Sequence, residues 1–445
     1  MTRQKTRPRT SDLKEYERRR RRLMQMMGRD SIAILPTAPV VLRNRDVEYP
    51  YRPESDFFYL TGFEEPAAVA VLVPGRGQGE FILFCRERDP KLELWAGPRH
   101  GPRGARAHFG ADEAHAVGAI DDILPGLLEN RAKVYYTMGS NPDFDQRITG
   151  WLKTIRRKSR AGVHPPDEIV SLEHLLHEMR LFKSRSEIET MRHAAEISAA
   201  AHCRAMRACR PGMPEYQLEA ELSHEFIRRG ARSHAYPPII GGGANACILH
   251  YTDNDAVLAD GDLVLIDAGA EYRGYAADIT RTFPVNGRFS PAQRAIYELV
   301  LAAQHAAIAK VQPGNHWNDP HDAAVRVLTQ GLVRLGLLKG EVRALIRNRA
   351  YQRFFMHRTG HWLGMDVHDV GDYKIGDSWR LLEPGMVLTV EPGLYIPAGS
   401  KGVAKKWWNI GVRLEDDVLV TRTGNEVLTR GVPKTVAEIE ALMAA

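Results

Sequence analysis

The stretch LVLIDAGAEYRGYAADITRTFP, Leu263 to Pro284, decides the reading of the fold. An apolar run from Leu263 to Ile266 ends on Asp267, and a second strand-like run from Tyr275 to Val285 carries Asp278, with Gly269 and Gly274 bounding the turn between them. A hairpin of this spacing brings both carboxylates to one end of a buried strand. Like charges held that close raise each other's pKa and are costly without a cation. One such pair, taken alone, reads more readily as two turn caps than as a metal site.

Further along, Phe354 to Gly364 reads FFMHRTGHWLG and is followed by Asp366, Val367, His368 and Asp369. The H-x-x-x-H spacing of His357 and His361 suggests a zincin, but Arg358 stands where that motif needs Glu, and Gly360 argues against a continuous helix. Apolar flanks weigh against a plain surface loop. Glu391 follows the apolar strand Val387 to Val390 and precedes Pro392 and Gly393, while Glu415 ends the run from Ile410 to Leu414, where alternation puts Arg413 and Glu415 on one face. Each acid alone is an ordinary surface residue. Together Asp267, Asp278, His361, Glu391 and Glu415 supply four negative charges and one imidazole, enough to neutralise two divalent cations. Oxygen-rich ligation of this kind favours manganese, with cobalt or zinc as substitutes.

The rest of the chain bounds this reading. With 445 residues, 44% of them apolar and 26% charged, it is a folded globular protein of about two domains. No apolar run approaches the roughly 18 residues of a membrane-spanning helix. Cys85, Cys203, Cys209 and Cys247 form no C-x-x-C pair, so a disulfide framework or thiolate zinc site is not expected. A reducing compartment fits, and with no apolar signal-peptide core before Ser31 a cytoplasmic location is the expectation. The net charge of +6 is concentrated at the start, where residues 1–22 carry a net of +7 and leave the remainder near neutral. That segment reads as a solvated end running into a helix around Leu13 to Met27. No base-reading motif accompanies it, so nucleic acid is not an expected partner.

Residues 1–30 are thus expected to be a basic tail and first helix, 31–175 a compact α/β domain with strands at Ile32 to Leu35, Ala67 to Val73 and Phe81 to Cys85, and 176–445 an α+β catalytic domain. In the last, Ser184 and Glu187 form a capping box, and Pro214 to Arg229, Pro291 to Val311 and His321 to Leu335 read as further helices. Strands are expected at Met386 to Val390 and Asn409 to Val420. Gly241 to Gly243 lack the Lys-Ser/Thr of a phosphate loop, and Cys247 is disfavoured as a nucleophile beside a complete metal set.

Six motifs carry a resemblance: Ile248 to Thr252, the Asp267 and Asp278 strands, His357 to Gly364, the LTVEPGLY run around Glu391, and the GVRLED run around Glu415. In order and spacing they resemble the aminopeptidase P family of the creatinase and methionine aminopeptidase superfamily. The likeness extends forward through Arg43, Asn44, Asp46 and Glu48 to Arg52. It implies a pita-bread catalytic domain behind a smaller creatinase-like α/β N-terminal domain, two Mn²⁺ ions, and removal of the N-terminal residue from peptides with proline second. By position Asp267 would hold one metal, Asp278 and Glu415 both, and His361 and Glu391 the other. Glu391 would also shuttle protons, His250 and His368 would contact substrate and stabilise the oxyanion, and His357, Tyr395 and Arg413 would line the proline pocket and support the acids. Asp46, and Trp95 from a neighbouring subunit, would close the site, which implies a homo-tetramer or homo-dimer. Arg358 departs from the glycine common at that position in the family, and the Lys- and Trp-rich segment Gly399 to Trp408 reads as a rim loop. The rival readings are an Xaa-Pro dipeptidase (prolidase) and a non-catalytic binding platform.

Overall fold

The structure, a computed structural model, describes residues 10–444 and divides into two compact units, Met1–His177 and Glu178–Ala445. The expected basic tail up to residue 9 lies outside the described residues. Among those described, no helix is long and apolar enough to cross a membrane.

The first unit is built on a six-stranded mixed sheet in the order Glu113–Ala116, Phe81–Cys85, Val69–Leu72, Ser31–Pro36, Lys133–Tyr135, Glu168–Val170. Three neighbouring strands, Phe81–Cys85, Val69–Leu72 and Ser31–Pro36, are short apolar runs buried almost throughout, so they show no alternation, whereas the edge strands Glu113–Ala116 and Glu168–Val170 are partly exposed. Ile32, Ile34, Val71, Ile82 and Phe84 join Ile148, Trp151 and Ile155 of the helix Pro142–Arg156 in one core. The leading helix, Thr10–Met27, departs from the solvated reading of the arginine run. Arg19 and Arg20 are both only 4% exposed. Their guanidinium groups donate to the carbonyls of Tyr59 (2.9 Å) and Leu60 (2.8 Å), near the end of the helix Ser55–Thr61, and lie over the rings of Tyr59 and Phe81. Helix carbonyls without an intrahelical partner take these donors, and aromatic faces cover the cations.

The second unit repeats one order of elements. A capped helix Arg185–Ala208 and the helix Glu215–Arg228 precede the antiparallel strands Ile239–Gly242, Leu263–Asp267 and Thr280–Pro284. The helices Pro291–Ile308 and Asp319–Arg334 then precede Val387–Val390, Gly393–Ile396, Ile410–Arg413 and Asp416–Val420. Ser184 and Ser290 each head their helix with a complete capping box. Apolar faces of these helices, including Ala201, Ala205, Ile296, Val300 and Ala303, share a core with Ile266, Phe283, Leu388, Val412 and Leu414. Each half ends in strands that deliver two acids.

Two strand expectations need correction. The run from Tyr275 to Val285 is not continuous: Tyr275–Ala276 closes a hairpin with Ala270–Tyr272, and a separate strand, Thr280–Pro284, pairs with Leu263–Asp267 in the register Asp267 to Thr280. Arg273 and Gly274 connect the small hairpin with positive φ at both residues, the backbone a tight primed turn demands. In the interruption the Asp278 N–H reaches the Asp417 carboxylate at 3.2 and 3.3 Å instead of a ladder carbonyl. Similarly, the run from Asn409 to Val420 changes sheets at Leu414 and Glu415, pairing Arg413 with Gly393 and Asp416 with Val390. Both breaks fall where an acid must leave the pleat.

Candidate metal centre and active site

A cavity of about 430 Å³ in the second unit is lined by Asp267, Asp278, His361, Glu391 and Glu415, together with His250, His357, His368 and Arg413. Asp267 ends its strand and Asp278 occupies the interruption opposite it. Gly269 permits that approach, since a Cβ there would lie 1.7 Å from the Ala277 carbonyl oxygen. His361 is placed by a segment running beside Val387–Val390, tied by Thr389 N–H to the His361 carbonyl at 2.9 Å and Glu391 N–H to the Thr359 carbonyl at 2.8 Å. Gly360 makes this possible, for a Cβ on it would sit 2.0 Å from the Thr389 carbonyl oxygen. The segment is not helical, as that glycine suggested.

Single ligand atoms of Asp278, His361 and Glu415 lie within 4.8 Å of one another. His361 Nε2 is 3.4 Å from Asp278 Oδ2 and 3.9 Å from Glu391 Oε1, and its Nδ1 bonds the Trp362 carbonyl at 2.9 Å, which fixes Nε2 toward the acids. Asp267 joins through Tyr236, whose hydroxyl lies 2.6 Å from Asp267 Oδ1 and 2.5 Å from Asp278 Oδ1. Arg413 forms an ion pair with Asp267 Oδ2 at 2.6 Å, and Thr280 donates to Glu415 Oε2 at 2.7 Å.

The electrostatics follow from burial. Removal from water raises the carboxyls of Asp267 and Glu415 and pushes Glu391 up to about 7, with neighbouring acids adding to the effect. Burial also opposes a charged His361, yet Asp278 and Glu391 together push it up to about 9. His357 moves the other way, to about 3, through burial and then the Arg413 charge. Burial likewise lowers His368. A neutral His357 bonds through Nδ1 to the Arg358 carbonyl at 2.7 Å, leaving Nε2 to accept from the Tyr395 hydroxyl at 2.8 Å, which in turn accepts from Arg413 at 3.1 Å.

The donor set fits a divalent cation. Four acids share a partly buried space with one oriented imidazole, a single phenolic hydroxyl faces two of them, and Arg413 neutralises just one. Such a group is strained by its own charge until a cation or protons offset it.

The model of metallopeptidase family M24 matches residues 189–422, and that of the aminopeptidase P N-terminal domain matches residues 16–135. The chain belongs to metallopeptidase family M24. This M24 chain is 49% identical to the Xaa-Pro aminopeptidase of Escherichia coli (strain K12) over 432 residues, 97% of this chain and 98% of that protein. Among solved structures it matches the Pseudomonas aeruginosa aminopeptidase PepP with a TM-score of 0.96 and 63% identity, over 97% of this chain and 98% of that one. The zinc-substituted E. coli aminopeptidase P in complex with product matches with a TM-score of 0.95 and 49% identity, over 97% and 98% of the two chains. The M24 domain therefore has the pita-bread fold, preceded by the expected smaller N-terminal domain, and the dipeptidase alternative is not favoured.

The remaining expected residues are placed as follows. His250 and His368 line the cavity, and the His368 ring meets that of His361 at a centroid distance of 4.4 Å. Tyr395 is 1% exposed and reaches the cavity through His357 and Arg413. Asp46 stands at the turn between Leu42–Asn44 and Val47–Glu48 in the first unit, and Trp95 is 91% exposed on the short helix Pro90–Ala96. Sequence reasoning missed Tyr236, Thr280 and Asp417. Thr280 was within reach, two residues past Asp278 on a strand. Tyr236 carries no local signal; it is brought in because Ile239 pairs with Asp267.

Proposed function

We propose that this enzyme is a metal-dependent Xaa-Pro aminopeptidase, removing the N-terminal residue from peptides with proline second. The observation that carries the reading is the convergence of Asp267, Asp278, His361, Glu391 and Glu415 on one cavity of an M24 domain. In this reading Asp267, Asp278, His361, Glu391 and Glu415 would together hold two divalent ions, manganese first and cobalt or zinc as substitutes. Bound there, the ions supply Lewis acidity and lower the pKa of water at the site.

The chain's own residues do the rest. Glu391, a carboxylate lining the cavity 3.9 Å from His361 Nε2, is suited to take a proton from water and pass it on. That proton is needed because the leaving group is a proline nitrogen, a tertiary amide without N–H. His368 and His250 line the cavity wall, and in this reading they donate to the developing oxyanion. Arg413 fixes Asp267 and, through Tyr395, the ring of His357, whose neutral edge suits an apolar pyrrolidine. Asp46 and Trp95 close the site in a homo-tetramer or homo-dimer, and the enzyme acts in the cytoplasm on free peptides.

The test is release of the first residue from an Xaa-Pro-Yaa tripeptide by metal-stripped enzyme with and without Mn²⁺, beside an Xaa-Ala-Yaa control and an Xaa-Pro dipeptide. Mn²⁺-dependent cleavage of the proline tripeptide is expected. Inert tripeptide with a cleaved dipeptide moves the assignment to a dipeptidase, and no cleavage of either leaves a binding platform.

A further inference from the structure

Arg358 follows His357 directly and lines the cavity, but it belongs to none of the machinery described. Its guanidinium donates to the side-chain oxygen of Asn318 and lies over the Trp379 ring, 5.0 Å from the centroid. The ammonium of Lys374 approaches the same ring at 4.6 Å, because Lys374 and Trp379 face each other across the hairpin Lys374–Ile375/Ser378–Trp379. Two cations thus share one indole. Among the described residues neither forms an ion pair with a carboxylate; the carboxylate that most favours the charged form of Arg358 is Asp322, acting without an ion-pair contact. A guanidinium has five N–H donors in a planar fork, and those not taken by Asn318 are free for a planar anion.

The placement of charge gives that anion an identity. Acids crowd the floor of the cavity, where Glu415 is 2% exposed, whereas Arg358 stands exposed at its edge. A short peptide has the opposite polarity, an ammonium at one end and a carboxylate at the other. An extended residue spans roughly 3.4 Å, so a tripeptide with its amine among the acids carries its carboxylate about 10 Å outward.

Building on the aminopeptidase reading, we propose that Arg358, Trp379 and Lys374 form a carboxylate-binding subsite at the mouth of the cavity that takes the C-terminal carboxylate of short peptide substrates. Arg358 makes the direct contact. Trp379 holds its plane, and Lys374 adds charge. The subsite favours tripeptides with a free C-terminus over blocked or longer ones of the same leading sequence.

The test compares kcat/KM of the Mn²⁺-loaded enzyme on Ala-Pro-Ala, Ala-Pro-Ala amide and Ala-Pro-Glu amide, for the wild type, Arg358→Gln and Lys374→Ala. An exposed, stacked ion pair corresponds to a preference of about fivefold for the free acid over the amide. Arg358→Gln should reduce this ratio to nearly one, Lys374→Ala should lower it partially, and 0.5 M NaCl should compress it in the wild type. A preference for the Glu amide, lost in Arg358→Gln, keeps the subsite but assigns it to an acidic side chain. No preference in the wild type, or one that survives in Arg358→Gln, overturns the subsite. Failure of every proline peptide to react would instead overturn the aminopeptidase reading.

Discussion

Replacing Glu391 by Gln should stabilise the metal-free protein at alkaline pH while abolishing turnover. Burial holds the folded carboxyl at about 7 against an ordinary value of 4.5. The folded state therefore binds the proton more tightly than the unfolded one. Its stabilising contribution is fully present below pH 4.5 and lost as pH rises through 7. A difference of this size corresponds to about 3 kcal/mol at pH 8, and to less than about 1 kcal/mol at pH 5, where the unfolded carboxyl is mostly ionised but the folded one is still neutral. Gln keeps the shape without the charge, so Glu391→Gln should be the more stable protein by those amounts. For a unit of this size 3 kcal/mol corresponds to a rise in melting temperature of about 5 °C. The assay is thermal unfolding of metal-stripped wild type and variant at pH 5, 6.5 and 8, with Mn²⁺ added in a parallel series. Added Mn²⁺ should reverse the order at pH 8, because the cation rewards the carboxylate and not the amide. Equal melting temperatures of the two metal-free proteins at pH 8, or a gain for Gln that is the same at pH 5, would refute the claim that burial holds this carboxyl up.

Three further outcomes are expected. Gly360→Ala should fold but lose at least about tenfold in Mn²⁺-dependent activity, since its Cβ would meet the Thr389 carbonyl oxygen at 2.0 Å and push the His361 segment off its strand; titration of Mn²⁺ affinity checks it. Arg281→Ala should cost about 3–5 kcal/mol in denaturant unfolding, because the wholly buried guanidinium holds Asp416 at 2.7 Å and the Glu415 carbonyl at 2.6 Å. Tyr236→Phe should destabilise the metal-free protein by about 1–3 kcal/mol and the Mn²⁺-loaded protein less, as the lost hydroxyl faces two acids that a cation also offsets; paired melts check it.

The physical origin of these effects differs in how far it can be read from the chain. Asp267, Asp278, Glu391 and Glu415 each close or interrupt an apolar strand, where one acid alone reads as a turn cap or a surface residue; they are legible only as a set with His361. Ser184 and Glu187 announce their helix by local hydrogen bonding, and the capping box is there. Arg19 and Arg20 mislead, since a run of five arginines reads as solvated until the carbonyls of Tyr59 and Leu60 and the rings of Tyr59 and Phe81 are brought against it.

By itself the sequence determined the types of element, the acid-and-imidazole set and the family, because capping, apolar runs and motif spacing are local properties of the chain. Tertiary structure alone decided which atoms meet. Tyr236 reaches Asp267 and Asp278 because of strand register, and Asp278 leaves its ladder because Asp417, 139 residues away, takes its N–H. The pKa of Glu391 rises because a fold, and not a motif, excludes water from it. Burial and long-range hydrogen bonding arise between segments far apart in the chain, and no local pattern of residues encodes their distances.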